Sequence, residues 1–470
     1  MPRDRDDIPT GKVRRATSTT AALGPSSARL AGSLLASLGR SPERAREVLE
    51  ERHAEVADHA VEVLGNLRGG AMKLGQLASF VDVEFLPPEF RAIYQEKLGK
   101  LRDAAPAMSW EKVRKVLERE WDEPVEDEFE SVSQEALAAA SIGQVHRGVL
   151  KDGREVAIKV QYPEIADALA SDLDLASVMI GLGKAIAPGL DPKLIANELR
   201  ERVLEELDFE LEAQQQRTFA RAYRGHPFVY VPEVVTALSR RRVLVTEWVS
   251  GRRFDEVLRM DQDARDQVGE VLVRFYYGSM ARVGRFNTDP HPGNYMLLDD
   301  GRMAFLDFGN TVAVGDREVQ RRAVMAAVEG DAERFVEAAS ELGYVRDSHR
   351  VDREVLLAQA LQVGDWYLHD RELRIDPEYV AGVISALIDP RAMEGALRLI
   401  RQLKVPPEEI WLRRVETSVL AVLGRLRATR NWHRIMLELL RGDPPATALG
   451  EAEAAFWARR GGAAARPQRP

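Results

Sequence analysis

The sequence has no cysteine among its 470 residues. Disulfides, thiolate nucleophiles and zinc sites that use cysteine are therefore excluded. There is also no run of about 18 apolar residues, the length that a membrane-spanning helix needs. A signal peptide is not expected, because Asp4, Asp6 and Asp7 occupy the first residues and no apolar segment follows them directly. The absence of cysteine leaves the redox compartment undetermined, but nothing suggests secretion. We therefore expect a cytoplasmic protein, and any contact with a membrane would be peripheral.

A large excess of one charge is also missing, since 66 Lys and Arg stand against 75 Asp and Glu. The net charge of −9 gives no general argument for a nucleic-acid partner. A hydrophobic content of 45% with 30% charged residues is typical of a globular protein. The stretch from 8 to 42 has basic residues but no acidic one, which fits either weak contact with an anionic membrane surface or a solvated tail. Nothing in the sequence indicates an oligomeric state.

One stretch, Asn287 to Gly309, concentrates residues suited to phosphoryl transfer. It reads NTDPHPGNYMLLDDGRMAFLDFG. Asp289 is followed five residues later by Asn294, and a hairpin pattern then leads to Asp307 of an Asp-Phe-Gly triplet. Carboxylate and amide oxygens suit Mg²⁺, and a nearby carboxylate suits an acceptor hydroxyl. The stretch predicts the active site of a kinase-type phosphotransferase, in which Asp289, Asn294 and Asp307 together would supply ligands for Mg²⁺ and a carboxylate for the acceptor.

A second segment has the pattern of a nucleotide-binding β-hairpin. The alanine-rich run ALAAASIGQV from 136 to 145 leads into a strand, a Lys-Asp-Gly turn and the strand REVAIKV. A small-residue loop before such a hairpin is where kinase-type folds cover the phosphates. Alternation places Lys159 on the face of Ala157, where it would meet the phosphates; the alternative is an edge-strand lysine that faces water. The expected nucleotide contacts here are Ala138, Ala139, Ala140, Ser141, Gln144, Val145, Ala157 and Lys159.

Three further features are candidates for the same site. A helix is expected to carry the acidic run from Glu206 to Glu212, in which a glutamate could pair with the strand lysine; the alternative is a solvated charged face. The strand end at Glu247 and Val249 is expected to present backbone groups to the adenine. Lys73 lies within the apolar run AMKLGQLASF, where the alternative to a functional role is a side chain that reaches solvent at a helix junction.

Together these motifs resemble the UbiB/AarF family of atypical kinases, which is tied to ubiquinone biosynthesis. KLGQ at 73–76 resembles the KxGQ motif of that family, and AAAS at 138–141 resembles its alanine-rich loop. Glu206 and Asp208 resemble its ExD motif, and DPHPGN and DFG complete the set. The likeness implies an α+β, atypical protein-kinase-like fold with a small β-containing N-lobe, a helical C-lobe and an N-terminal helical extension.

The resemblance also implies roles for matching residues. Lys159 would hold the α- and β-phosphates and pair with Glu212. Asn294 and Asp307 would hold the Mg²⁺ that accompanies ATP, and Asp289 would be the catalytic carboxylate of the loop. The extension would cover the site, with Lys73 taking part in catalysis, and would block the groove that protein substrates use. This lid and its contacts are expected to comprise Lys73, Gly75, Gln76, Glu206 and Asp208.

The expected organisation has five parts. They are a basic tail (1–40), the helical extension (41–125), the N-lobe with its alanine-rich loop and inserted helices (126–250), the helical C-lobe with the catalytic and metal-binding loops (251–457) and a second tail (458–470).

One position departs from the family pattern. A histidine usually stands where this chain has Asn287. In kinases that histidine braces the catalytic loop, so the substitution leaves the geometry of the loop open but not the reaction class. After the Asp-Phe-Gly triplet there is no Ala-Pro-Glu, and a helical pattern resumes near Arg317. Because little room is left for docking a peptide, we expect a small or lipid-like acceptor, or water.

Three functions remain compatible with these residues. A UbiB-type ATPase or kinase that supports isoprenoid quinone or lipid metabolism fits the most motifs. A small-molecule phosphotransferase of the aminoglycoside or choline kinase type shares the Asp-to-Asn spacing but not KLGQ or the alanine loop. A nucleotide-binding regulatory scaffold without turnover has no need of Asp289, Asn294 and Asp307 together. Because methyl groups restrict a loop that glycines would leave free, the alanine loop predicts restrained turnover.

Overall fold

The computed structural model describes residues 108–139, 142–163, 165, 200–201, 204–345, 351–388 and 407–460. The chain divides into two compact units, Met1–Met179 and Ile180–Pro470. The basic tail and the segment with Lys73, Gly75 and Gln76 lie outside the described residues, as do the last ten residues. Within the described ranges, no helix has the length and apolar character needed to cross a membrane.

The first unit is built on an antiparallel sheet. Its helices are α1 (Trp110–Trp121) and α2 (Val125–Glu128), and its strands are β1 (Phe129–Val132), β2 (Ala138–Ala139), β3 (Gly143–Leu150) and β4 (Glu155–Gln161). Strand β3 pairs antiparallel with β1, β2 and β4. Gly153 has a φ of +84° in the turn between β3 and β4, as the Lys-Asp-Gly pattern predicts.

The β3–β4 hairpin has one buried and one half-buried face. Val156, Ile158 and Val160 are at most 1% exposed, and they alternate with the half-buried Ala157 and Lys159. Helix α1 packs against β4 and is itself buried on one side. The predicted alternation is thus confirmed, and the expected nucleotide face is the half-buried one.

The second unit is mostly helical. Its helices are α3 (Phe209–Tyr223), α4 (Phe254–Val257), α5 (Gln262–Arg282), α6 (Arg317–Glu329), α7 (Ala332–Glu341), α8 (Arg353–Leu368), α9 (Pro377–Ile388), α10 (Pro407–Leu426), α11 (Trp432–Arg441) and α12 (Ala448–Arg459). Its strands are β5 (Val229–Tyr230), β6 (Val243–Glu247), β7 (Arg285–Asn287), β8 (Tyr295–Leu297), β9 (Met303–Phe305), β10 (Thr311–Ala313), β11 (Leu373–Arg374) and β12 (Thr429–Arg430). Strand β9 pairs antiparallel with β8 and parallel with β5, while β7 pairs antiparallel with β10.

Short polar side chains begin most of these helices. Their oxygens accept backbone N–H groups that have no partner within the first turn. These capping residues are Asp208, Asp261, Asp316, Asp331, Asp352, Asn431 and Thr447. Pro377 and Pro407 open α9 and α10, where the missing N–H of proline has no consequence.

Helix α5 is the central element of the second unit. It packs against β7, α10 and α11, and most of its residues from 266 to 279 are buried. Gly269 permits a close approach, because a Cβ there would lie 2.8 Å from the Cβ of Ala428. Phe275 stacks on Phe305 of β9 with 3.5 Å between ring centroids. Through these contacts α5 fixes the strands that flank the candidate site.

Most predicted elements of this unit are present, but one helix start was predicted incorrectly. The expected hairpin is formed by β8 and β9, and helices follow from Arg317. The prediction of one helix through the whole acidic run is wrong, since Asp208 lies outside α3. Its carboxylate accepts the N–H of Glu210 at 3.0 Å and that of Leu211 at 3.3 Å. A short acidic side chain competes for backbone donors and so favours the capping position over the helix interior. The expected domain boundaries stay a prediction.

Candidate active site

The loop between β7 and β8 carries two of the predicted residues. Asn294 ends a short 3-10 turn, which starts after His291. Asn294 Nδ2 donates to Asp289 Oδ2 at 2.9 Å and to the Asp289 carbonyl at 3.2 Å. Because the amide nitrogen points toward Asp289, the amide oxygen points away from that carboxylate. This is the orientation that a metal-binding amide needs.

Asn287, the residue that replaces the expected histidine, joins this loop to the Asp-Phe-Gly segment. Its Oδ1 accepts the N–H of Asp289 at 2.8 Å, and its Nδ2 donates to the Asp307 carbonyl at 2.6 Å. The residue is only 2% exposed. One buried amide therefore binds both acidic loops. These two hydrogen bonds define the geometry of the Asp289 loop, which the sequence had left open.

A second connection runs through the base of the β8–β9 hairpin. The N–H of Leu306 donates to the Asn294 carbonyl at 2.8 Å. Asp307 follows directly, and its Oδ1 accepts the N–H of Gly309 at 3.1 Å. The hairpin therefore brings Asn294 and Asp307 to the same end of the site, as predicted.

The remainder of the Asp-Phe-Gly triplet packs against α3 and α5. Phe308 is fully buried, and its ring lies 4.9 Å from Phe219 of α3 and 6.5 Å from Phe275 of α5. Glu212 of α3 is 2% exposed, and a Cβ at position 309 would lie 3.3 Å from its Oε2. Glycine at 309 thus lets a buried carboxylate lie beside the triplet.

A buried tyrosine lies close to both acidic residues. The Tyr276 hydroxyl of α5 is 3.5 Å from the Asp289 carbonyl. Burial, together with the negative charges of Asp289 and Asp307 and the neighbouring Tyr295, raises the pKa of Tyr276 well above its usual value. Tyr276 therefore stays neutral and cannot act as a base here.

One contact of this site was missed by reasoning from the sequence. Arg414 Nη2 of α10 lies 3.2 Å from Asp289 Oδ1. The two residues are 125 positions apart. No motif or spacing connects them, so only the packing of α10 could reveal the pair.

In the first unit, four of the predicted nucleotide contacts share one face of the sheet. Val145 is the direct partner of Lys159 across β3 and β4, and Ala138 of β2 is the partner of Val145. Ala157 lies two residues before Lys159 on the same side of β4. Ala140 and Ser141 lie outside the described residues, and Ala139 is described only as a strand residue paired with Gln144.

Gln144 uses its side chain elsewhere. It is 1% exposed, its Oε1 accepts the N–H of Met108 at 2.6 Å, and its Nε2 donates to the Met108 carbonyl at 3.1 Å. The same Nε2 lies 2.9 Å from His146 Nε2. The amide of Gln144 thus anchors the segment before α1, on the face opposite Val145 and Lys159.

The remaining predicted residues lie in the second unit. Glu206 is half-buried just before Asp208, whose carboxylate caps α3. Glu247 ends β6, and its N–H donates to the Glu233 carbonyl at 2.8 Å. Its carboxylate accepts the hydroxyl of Tyr230, and burial together with this bond raises the pKa of that tyrosine. Val249 lies half-buried two residues further on.

The donor set of the site suits a metal that is held jointly with a phosphate. Among the described residues, no group of three or more His, Cys, Asp or Glu side chains could hold a metal ion alone. Mg²⁺ commonly takes only one or two protein oxygens and completes its shell with phosphate and water. The carboxylate of Asp307 and the amide oxygen of Asn294 fit that arrangement.

Comparisons with known proteins point to the same fold type. The sequence profile of the ABC1 atypical kinase-like domain matches residues 100–339. The mitochondrial atypical kinase coq-8 of Caenorhabditis elegans is 29% identical over 382 residues, covering 79% of this chain and 49% of that protein. The mitochondrial atypical kinase COQ8B of Rattus norvegicus is 29% identical over 386 residues, covering 79% and 69%. The chloroplastic protein ACTIVITY OF BC1 COMPLEX KINASE 1 of Arabidopsis thaliana is 34% identical over 293 residues, covering 60% and 42%.

A solved structure is also similar. It is the complex of Rv3197 with erythromycin from Mycobacterium tuberculosis, with a TM-score of 0.61 and 33% identity over 85% of this chain and 100% of that chain. The chain spans only part of the curated relatives described above. It covers 49% of the C. elegans protein, 69% of the R. norvegicus protein and 42% of the A. thaliana protein.

Proposed function

The chain belongs to the ABC1 atypical kinase-like domain family, and we propose on this premise that it binds ATP with Mg²⁺ and transfers or hydrolyses the terminal phosphate. The acceptor in this proposal is a small or lipid-like molecule, or water. Its cellular role would be to support isoprenoid quinone or lipid metabolism, with peripheral contact at a membrane surface.

The observation that carries this proposal is the bridge that Asn287 makes between the two acidic loops. It holds the N–H of Asp289 and the carbonyl of Asp307 at 2.8 and 2.6 Å. Phosphoryl transfer has a loose transition state, so positioning and charge stabilisation supply most of the catalysis. A Mg²⁺ ion held by Asn294 and Asp307 would neutralise phosphate charge, and Asp289 would orient the acceptor hydroxyl.

The nucleotide face in this proposal is the half-buried side of the β3–β4 hairpin. Lys159 supplies the positive charge for the α- and β-phosphates, between Val145 and Ala157. Glu212 is the partner we propose for Lys159, because a carboxylate that is 2% exposed needs a cation or donors nearby. The main chain around Glu247 and Val249 would contact the adenine.

The lid of the site is proposed to be the segment that holds Lys73, Gly75 and Gln76. Its contacts would be Glu206 and the carboxylate of Asp208. In the described structure that carboxylate caps α3.

The acceptor is inferred from the short segment after the Asp-Phe-Gly triplet. Strand β10 pairs with β7 there, and α6 begins at Arg317. A segment that is hydrogen-bonded in this way leaves little chain for docking a peptide. This favours a small acceptor over a protein in trans.

ATP consumption by the purified chain tests the proposal. We expect Mg²⁺-dependent turnover that rises with liposomes or a phenolic quinone-precursor mimic. Asp307→Asn should lower turnover on the order of 100-fold, because the metal loses its carboxylate. Asp299→Asn, in the exposed turn of the same hairpin, removes the same charge and should leave turnover unchanged. Turnover that is unchanged in Asp307→Asn would contradict the mechanism.

A macrolide is a second candidate ligand, because the similar structure from M. tuberculosis is a complex with erythromycin. In that case the chain would act as a small-molecule binding protein or phosphotransferase. Titration of the purified chain with erythromycin, followed by calorimetry and by ATP consumption, separates the two cases. Binding that stimulates ATP use would favour the macrolide as the acceptor class. No binding heat at two well-separated temperatures, together with unchanged ATP consumption, would count against it.

A further inference from the structure

All four polar atoms of Asp289 are engaged in the structure. Its N–H donates to Asn287 at 2.8 Å, and its carbonyl accepts from Asn294 at 3.2 Å. Asn294 also binds Oδ2 at 2.9 Å, while Arg414 of α10 binds Oδ1 at 3.2 Å. The Tyr276 hydroxyl of α5 also lies 3.5 Å from the Asp289 carbonyl, and Arg414 is the one of these partners from outside the loop and β7 that binds the carboxylate.

We propose that Arg414 is a positioning residue for phosphoryl transfer, which fixes the Asp289 carboxylate toward the acceptor from the side opposite Asn294. This inference rests on the proposed function. With one oxygen held by an amide and the other by a guanidinium, the carboxylate plane cannot rotate. Each carboxylate oxygen has two lone pairs. Oδ1 can therefore bind Arg414 and still accept a hydrogen bond from the hydroxyl of the substrate that receives the phosphate.

The charge balance of the loop supports this assignment. Between Asp289 and Asn294 the sequence is Pro-His-Pro-Gly, with no lysine or arginine. Asn287 binds both the N–H of Asp289 and the carbonyl of Asp307, so the two acidic residues lie within one small region. A nucleotide brings further negative charge. A cation beside Asp289 therefore reduces repulsion at the point where the acceptor must approach.

The position of Arg414 is set by the core rather than by the loop. Helix α10 packs against α5, and its neighbouring Val415 and Val419 are 0% and 1% exposed. The side chains of Arg414 and Asp289 are only 18% and 24% exposed, so water screens the pair weakly. The pair therefore ties the catalytic loop to the helical core.

The adjacent Arg413 offers a matched control. It lies on the same helix and pairs with Glu416 at 3.1 Å, with 42% of its side chain exposed. Arg413→Met and Arg414→Met remove the same charge and the same number of donors, one residue apart. Only the second removes a contact with Asp289.

The test measures kcat and KM for ATP with the full chain and Mg²⁺. We expect Arg414→Met to lower kcat on the order of 10- to 100-fold, because a misoriented group costs about that much. KM for ATP should stay within about twofold, since Asp289 faces the acceptor and not the nucleotide. Arg414→Lys should recover part of kcat through its charge but not the fixed geometry of the planar fork. Arg413→Met should match the wild type.

A double variant distinguishes positioning from loss of structure. If Arg414 acts through Asp289, adding Arg414→Met to Asp289→Asn should lower kcat no further than Asp289→Asn alone. Additive losses, or a normal kcat for Arg414→Met beside an active wild type, overturn this inference and leave the proposed function intact. A wild-type protein that consumes no ATP overturns the proposed function, and this inference with it.

Discussion

At the scale of single residues, the neutral amide of Asn287 is the feature with the clearest consequence. It offers one acceptor to the N–H of Asp289 and one donor to the carbonyl of Asp307. A neutral histidine can supply the same pair, but a protonated histidine has two donors and no acceptor. Asparagine keeps the two loops joined at any pH at which the protein is folded.

This difference predicts a distinct pH profile for Asn287→His. At pH 8 the variant should retain most of the turnover, because the neutral ring can replace both hydrogen bonds. As the pH falls through about 6.5 or lower, protonation removes the acceptor for Asp289, and turnover should fall more steeply than in the wild type. The ratio of the two kcat profiles measures the effect. Asn287→Leu, which keeps the branching and the number of side-chain heavy atoms but forms no hydrogen bonds, should be impaired at every pH. Equal activity of all three proteins would contradict the role of the amide.

The residues that could be predicted from the sequence are those that lie close together in it. Asp289, Asn294 and Asp307 lie within one hairpin-forming stretch, so their spacing already implied that they meet. Arg414 approaches Asp289 from 125 positions away. That contact depends on how α10 packs on α5, and no local pattern encodes it.

At the scale of elements, a buried arginine joins three helices of the second unit. Arg274 of α5 has a fully buried side chain and contacts Glu270 at 2.8 Å, Glu438 of α11 at 2.9 Å and Glu453 of α12 at 3.0 Å. The three carboxylates raise the pKa of Arg274 despite its burial. Gly450 makes room for it, since a Cβ there would lie 2.6 Å from Arg274 Nη2.

Arg274→Met should therefore destabilise the protein strongly. The variant keeps the volume of the side chain but leaves three carboxylates buried without this cation, which costs about 3–5 kcal/mol. The free energy of unfolding in urea measures the loss. Arg334→Met, in an exposed ion pair with Glu329 whose side chains are 54% and 43% exposed, should change it by less than about 1 kcal/mol. Similar losses of unfolding free energy in both variants would show that the buried cluster stabilises the protein no more than an exposed ion pair does.

Periodicity in the sequence predicted which elements are present better than it predicted where they begin and end. The alternation in β4 and the β8–β9 hairpin are as expected, because burial on one face imposes a period of two. The start of α3 was predicted incorrectly. The acidic run has the spacing of a helix face, and that spacing is the same whether Asp208 lies inside the helix or caps it from outside. The cluster around Arg274 was also missed, because Arg274 and Glu453 are 179 residues apart.

At the scale of the whole molecule, each of the two units contains a buried histidine. In the first unit, His146 Nδ1 donates to the Ser133 carbonyl at 2.7 Å, and its Nε2 accepts from Gln144. In the second unit, His226 Nδ1 accepts the N–H of Val229 at 3.2 Å. Burial lowers the pKa of both rings, although Glu453 partly opposes this at His226.

Stability should consequently decline on mild acidification. The unfolded chain protonates its histidines near pH 6.5, whereas the folded protein resists protonation at His146 and His226. Below that pH the unfolded state binds more protons than the folded state, so the free energy of unfolding decreases as the pH falls. The contribution of the two histidines to stability is complete above that pH. Thermal unfolding between pH 7.5 and 5 measures this slope. His146→Gln and His226→Gln should each flatten it, and a slope unchanged in the double variant would contradict the assignment.

The pairing of β10 with β7 holds the segment that follows the Asp-Phe-Gly triplet in place. In switchable kinases, the segment after the metal-binding aspartate orders and disorders between an off and an on state. Here Thr311 is the strand partner of Asn287, the residue that also holds Asp289 and Asp307. Releasing that segment would dismantle the catalytic loop along with it. Among the described residues, this segment therefore offers no off state that would leave Asn287 and its two loops in place, and we expect the segment to stay ordered with and without nucleotide.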